Sequence, residues 1–238
     1  MNIAIYGDSF ADSSFKTALE SWDPVPTAWP TLLGLEHNVK NYSRAGTSLY
    51  WSYKQFLSTH LSHDRVIFLI TAVGRWPNPI EDLCFGNSLE ALDHHIRSVD
   101  PDREDLIKRL SVVRDWYVWA RDYSYEQDIH ELILREIVRT RPDTILIPTV
   151  GDTASLRGLS PITDWARASL FSLTGDSRWH DHANTPPLLT ELRTSCHMTP
   201  EANRSFSGFV SESLKLGAWS SSPPKSITHS EPLSYYYK

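Results

Sequence analysis

Short apolar runs separated by stretches of helical periodicity organise this chain. Residues 3–6, Ile-Ala-Ile-Tyr, read as a strand that runs straight into the turn Gly7-Asp8-Ser9-Phe10. A polar stretch spaced by Pro24 and Pro26 comes next, then a short helix from Ala28 to Leu33 and a second strand from Asn38 to Tyr42. Leu49 to Leu61 reads as a helix and Val66 to Thr71 as the third strand. Periodicity is then lost over residues 77–102, where Asn78-Pro79 and Asp100-Pro101 bracket an insertion of the kind that becomes a lid or specificity loop at a sheet's carboxyl edge. From Arg103 to Arg139 apolar residues recur at helical spacing: Leu106, Ile107, Leu110, Val113, Trp116, Tyr117 and Ala120, then Ile129, Leu132, Ile133 and Ile137. The spacing predicts a helix pair with a break near Tyr123-Ser124-Tyr125. Arg141-Pro142 stops the second helix, and Asp143 to Pro148 is the fourth strand.

Residues 151–194 carry glycine and proline breaks and read as long loops. Pro200 to Leu216 predicts a final amphipathic helix, with proline in its first turn and Phe206, Phe209, Val210 and Leu214 along one side. The β-α-β-α order implies an α/β fold: a three-layer α/β/α sandwich around a mainly parallel, flavodoxin-like sheet with helical insertions. The chain of 238 residues suits one domain over 1–216 with a helical insertion at about 77–140. Residues 217–238, with Ser220-Ser221-Ser222-Pro223-Pro224 and a terminal Tyr235-Tyr236-Tyr237, read as an extended or disordered tail.

Composition narrows the function classes. A net charge of −6 leaves no general basic surface for a nucleic-acid backbone, so no nucleic-acid partner is expected. No apolar run is long enough to cross a bilayer and no leader precedes the first strand, which predicts a cytoplasmic protein without a membrane partner. Cys84 and Cys196 are far apart and lack a metal-like spacing, in keeping with a reducing compartment. His180-Asp181-His182 is the best metal-like triplet, but it has no further ligand nearby; His94-His95 diverge in either helix or strand. No metal and no cofactor are expected. Nine tryptophans and ten tyrosines are read chiefly as packing mass.

Candidate chemistry sits at the two ends of the chain. A serine in the turn after a first strand lies where open α/β sheets place reactive groups, and Gly7 permits the turn while Asp8 can cap the residues after it. A late histidine, His197, opens the last helix in Cys196-His197-Met198-Thr199-Pro200-Glu201. Together these blocks resemble those of the GDSL-type, or SGNH, hydrolases, and Asn41-Tyr42-Ser43-Arg44-Ala45-Gly46-Thr47-Ser48 resembles that family's second block. The form of the later blocks is similar to a divergent branch found in bacteriophage genomes, which would place the protein in a host cytoplasm or a virion.

The resemblance implies an esterase in which Ser9 is the nucleophile, His197 the base, and the N–H groups of Ser9 and Gly46 the oxyanion donors. Its substrate would be a small-molecule or glycan ester. Two positions depart from the family pattern. Val73 stands where an asparagine donor is expected, leaving Thr71, Arg75 or Asn78 to reach the same place, with Arg75 equally suited to an anionic group on the substrate. Thr194 stands where the triad acid is expected, leaving Glu191 or Asp181 to substitute, or a Ser-His dyad. The alternative is an inactive relative that uses the same fold as a binding or structural module. A phosphate loop of a nucleotide binder would leave residues 41–48 and His197 unexplained.

Overall fold

The computed structural model describes residues 1–13, 28–71, 73, 89–148 and 200–217. Within them, a four-stranded parallel sheet has the order β2-β1-β3-β4, with β1 at Asn2–Tyr6, β2 at Asn38–Asn41, β3 at Arg65–Ile70 and β4 at Ile145–Pro148. Register is set by the pairings: Ala4 lies beside Lys40 on one side and Val66 on the other, and Phe68 lies beside Leu146. The central strands are apolar without alternation because both of their faces are covered. Ile3, Ile5, Ile67, Leu69, Ile145 and Ile147 point to one face, and Ala4, Tyr6, Val66, Phe68, Ile70 and Leu146 to the other. β2, with the sequence Asn-Val-Lys-Asn and only Val39 against the core, is a polar edge strand, which discourages pairing with another sheet.

Helices supply the outer layers. On the first face, α1 (Trp29–Leu33) and α6 (Pro200–Leu216) bury Trp29, Leu33, Phe206, Phe209, Val210 and Leu214. The indole of Trp29 meets Phe206 edge-on with ring centroids 5.1 Å apart. The apolar side predicted for α6 is thus the side that packs. On the second face, α2 (Leu49–Thr59) contributes Leu49 and Phe56, and α5 (Tyr123–Thr140) contributes Leu134 and Ile137. Tyr6 anchors this layer: it stacks on Tyr42 and Phe68, meets Phe56 edge-on, and bonds Thr59 Oγ1 at 2.7 Å. Burial pushes its phenol up to about 12. The three-layer parallel α/β architecture is therefore the observed one.

Several elements differ from the sequence expectation. The third strand ends at Ile70, one residue before Thr71, and the last turn of the predicted second helix tightens into a 3₁₀ segment at His60–Ser62. The stretch read as aperiodic contains a helix, α3 (Leu89–Ser98), whose narrow apolar stripe of Leu92 and Ile96 packs with Val99 on Leu106, Leu110 and Tyr117 of α4 (Glu104–Trp119). An ion pair of 2.6 Å between Asp93 and Arg114 joins the same two helices. The break between α4 and α5 falls at 120–122, and Tyr123 is already helical, because Asp122 caps α5 by accepting from the Ser124 and Tyr125 N–H groups. The buried stripe of α5 is also rotated from the predicted one. Glu126, His130, Leu134 and Ile137 are buried, whereas Leu132 is 59 % exposed.

The sheet leaves no room beside Gly7. A Cβ built there would lie 2.8 Å from Leu69 Cβ on the neighbouring strand, whereas one on Gly208 in α6 would meet nothing within 4 Å. Gly7→Ala is therefore expected to destabilise the protein by about 1–3 kcal/mol through overpacking, and Gly208→Ala to stabilise it by about 1 kcal/mol through helix propensity. Urea unfolding of both variants checks the contrast.

Candidate active site

The turn after β1 is bound on every side. Asp8 opens it as a cap: its carbonyl accepts from Ala11 N–H and Asp12 N–H, both at 3.0 Å, and its Oδ1 accepts from Phe10 N–H at 3.1 Å. The other carboxyl oxygen, Oδ2, accepts the Thr71 hydroxyl at 2.6 Å from the residue just beyond β3. Asp8 is only 1 % exposed, so these bonds compensate the removal of its carboxyl group from water. Trp29 Nε1 donates to the Phe10 carbonyl at 2.8 Å, Asn41 Nδ2 to the Ala11 carbonyl at 2.6 Å, and Ala45 N–H to Asp12 Oδ2 at 2.7 Å. Ser9 sits at the tip of this turn, half-buried, and its hydroxyl makes no hydrogen bond among the described residues.

The loop after β2 closes over the same edge. Arg44 N–H and Ser52 Oγ both donate to the Gly7 carbonyl at 3.2 Å, and Thr47 Oγ1 donates to the Arg44 carbonyl at 2.7 Å. Asn41 Oδ1 takes the Ser43 N–H, and Ser48 caps α2 by accepting from Trp51 N–H. Between these anchors Gly46 adopts φ +73°, a left-handed conformation that a Cβ would strain. The loop carrying Gly46 and the turn carrying Ser9 are thus joined directly through Asp12 and the Gly7 carbonyl.

Of the residues singled out from the sequence, Ser9, Asp8 and Gly46 are brought to this one edge. His197, Arg75, Asn78, Glu191, Asp181 and Thr194 lie outside the described residues, as does the His180-Asp181-His182 triplet. Val73 is a half-buried turn residue. Thr71 does not serve as a spare oxyanion donor, because its hydroxyl proton is committed to Asp8. The sequence reading missed His130, which is 7 % exposed and has Nε2 2.9 Å from the Thr71 carbonyl. Its signal was its place on the buried stripe of α5, four residues after Glu126 and four before Leu134.

Among the described residues no helix is long and apolar enough to cross a membrane. No family model matches the chain, and no curated protein does. Among solved structures, the chain is similar to LAE5, an alpha/beta hydrolase enzyme from the metagenome of Lake Arreo, Spain, at 16 % identity and a TM-score of 0.26, over 71 % of this chain and 86 % of that one. So loose a likeness carries no weight for topology or activity. The reading of the site rests on its own geometry.

That geometry has two measurable consequences. Asp8→Ala strands the Thr71 hydroxyl in a buried place and Thr71→Val removes a donor from the Asp8 carboxyl, so each is expected to cost about 2 kcal/mol. The double variant should cost less than the sum by about 1 kcal/mol, a coupling that a double-mutant cycle in urea measures. Burial also holds His130, His60, His63 and His37 below the ordinary value of 6.5, with the nearby Arg141 adding to the effect at His60 and His63. The unfolded chain binds these protons more tightly than the folded one. Stability is therefore complete above the ordinary value and falls as pH drops through the folded values. Unfolding midpoints measured from about pH 8 to pH 5.5 should decline at the acid end, and less steeply in His130→Gln.

Proposed function

We propose that the protein is a serine hydrolase that cleaves an ester through an acyl-enzyme on Ser9. The observation that carries this reading is the position of Ser9: a half-buried hydroxyl, unbonded among the described residues, on a hydrogen-bonded turn at the carboxyl end of β1, where the strand order changes direction between β1 and β3. That switch point is where open α/β sheets gather ligands. A surface serine placed for solubility alone would not need its turn held by partners from β2, α1, β3 and the Gly46 loop. Preorganisation of this kind is what a nucleophile requires.

In this mechanism Ser9 Oγ attacks the ester carbonyl carbon while His197 takes the hydroxyl proton. The tetrahedral oxyanion is held by the N–H groups of Ser9 and Gly46. The carbon–oxygen bond to the alcohol breaks as His197 returns the proton to the leaving oxygen, and water, activated by the same histidine, then releases the acid and restores Ser9. Arg75 or Asn78 supplies the donor that Val73 lacks, and Glu191 or Asp181 orients His197. The proposed substrate is a small-molecule or glycan ester, and no cofactor takes part. Val73 favours a second reading, a binding module that keeps the fold without the reaction, since loss of one oxyanion donor costs about 3 kcal/mol of transition-state stabilisation.

A fluorophosphonate probe read by intact mass separates the two. One adduct per chain is expected, absent in Ser9→Ala and formed at least about a hundredfold more slowly in His197→Ala. Well-folded protein that takes no label would instead establish the binding reading.

A further inference from the structure

α5 buries a titratable stripe where it crosses the carboxyl half of the sheet. Its start is fixed by the Asp122 cap and by a forked ion pair, in which Arg121 Nε and Nη2 donate to Glu126 Oε1 and Oε2 at 2.6 and 2.8 Å. Glu126 is 4 % exposed, and the Arg121 guanidinium covers the Tyr117 ring at 4.7 Å. One turn further on, His130 occupies a place between this pair and the apolar Leu134 and Ile137. An aliphatic side chain would fill it with no polar atom of its own to stay unbonded. The imidazole does carry one, for Nδ1 is buried and without a hydrogen-bond partner among the described residues.

What the imidazole offers in return is a donor. A carbonyl only accepts, so the 2.9 Å contact to the Thr71 carbonyl requires the proton on Nε2 and leaves Nδ1 as the bare acceptor. Thr71 in turn donates its hydroxyl to Asp8, and Asp8 caps the turn that presents Ser9. A single chain of hydrogen bonds therefore runs from α5 through the end of β3 to the turn after β1.

We propose that His130 is a positioning residue that sets the Ser9 turn through Thr71 and Asp8. Its role is to fix the backbone of Thr71 so that the threonine hydroxyl meets Asp8, without touching the reacting atoms. The kinetic arm of its test rests on the hydrolase reading; the structural arm does not.

Three variants decide it. His130→Leu removes the donor at similar volume, His130→Gln restores an N–H at the reach of Nε2, and His60→Leu is the control. His60 is equally buried and also has an Nδ1 without a partner among the described residues, but it stacks on Phe56 at the opposite edge of the sheet. Hydrogen exchange of the Phe10 amide, which donates to the Asp8 carboxyl, should quicken at least about tenfold in His130→Leu and stay within about threefold of wild type in His130→Gln and His60→Leu. Fluorophosphonate labelling of Ser9 should slow by a similar factor in His130→Leu alone, since a displaced reacting group loses its alignment. Unchanged Phe10 exchange in His130→Leu, or an equal change in His60→Leu, overturns the proposal. Wild-type protein that takes no label refutes the hydrolase reading, and Phe10 exchange then decides the role of His130. Should His130→Leu not fold, His130→Met is read in its place by the same criteria.

Discussion

The carboxyl group of Asp8 is the interaction on which the candidate site depends. It is buried just past the end of the central strand β1, where desolvation is costly, and its partners include a donor from its own turn and one from just beyond the neighbouring strand. Each of those bonds has a structural effect. The Phe10 N–H bond caps the turn that the Ala11 and Asp12 N–H groups close on the Asp8 carbonyl, and the Thr71 bond pins that turn to the end of β3. A turn held only by its own backbone would be free to tilt. Here tilting would leave a carboxyl oxygen without its partner, so the conformation of Ser9 is coupled to the packing of β1 on β3.

That coupling needs a close approach between the two strands. Gly7 and Leu69 are near enough that any side chain on Gly7 would collide with the leucine, and the Gly7 carbonyl is taken up by Arg44 N–H and Ser52 Oγ. The absence of a side chain at residue 7 therefore serves two purposes: it lets the sheet stay closely packed, and it opens the backbone to donors from the β2 loop and α2. The same loop reaches Asp12 through Ala45 N–H, so the connections after β1 and β2 share one hydrogen-bonded frame. Side-chain packing of α1 and α6 beneath this frame, through Trp29 and Phe206, supplies the apolar support.

Where the chain is strongly patterned, the sequence was a sufficient guide. The four strands, the apolar side of α6 and the capping role of Asp8 are all written in runs and spacings within a few residues of one another. Elements with a thin apolar stripe were harder to read: α3 shows Leu92 and Ile96 amid polar neighbours, and its partner is another helix outside the two sheet layers. The rotated stripe of α5 escaped for a different reason. Its first half buries Glu126 and His130, residues that read as surface until their partners are known, and the partner of His130 lies 59 residues away. Thr71 was legible as a polar residue at the end of a strand, but its commitment to Asp8, 63 residues distant, was not. Hydrogen bonds between remote segments leave no periodic trace, and the candidate site is built largely from them.

The two edges of the sheet divide the work. At the amino edge Arg141 donates to the backbone carbonyls of His60, His63 and Asp64, fastening the entry to β3 to the exit of α5, and Arg65 pairs with Asp143 across β3 and β4. These hydrogen bonds and this ion pair close the fold at that edge. Matching is incomplete at both edges: of the three buried side-chain atoms without a hydrogen-bond partner among the described residues, Ser43 Oγ and His130 Nδ1 belong to segments bonded to the Ser9 frame, and His60 Nδ1 lies at the amino edge. Unmatched polar atoms are costly, and proteins retain them where rigidity or chemistry outweighs the loss. Two of the three atoms lie in segments that hold the Ser9 turn, where the bonds that fix the turn offset the cost of an unmatched group.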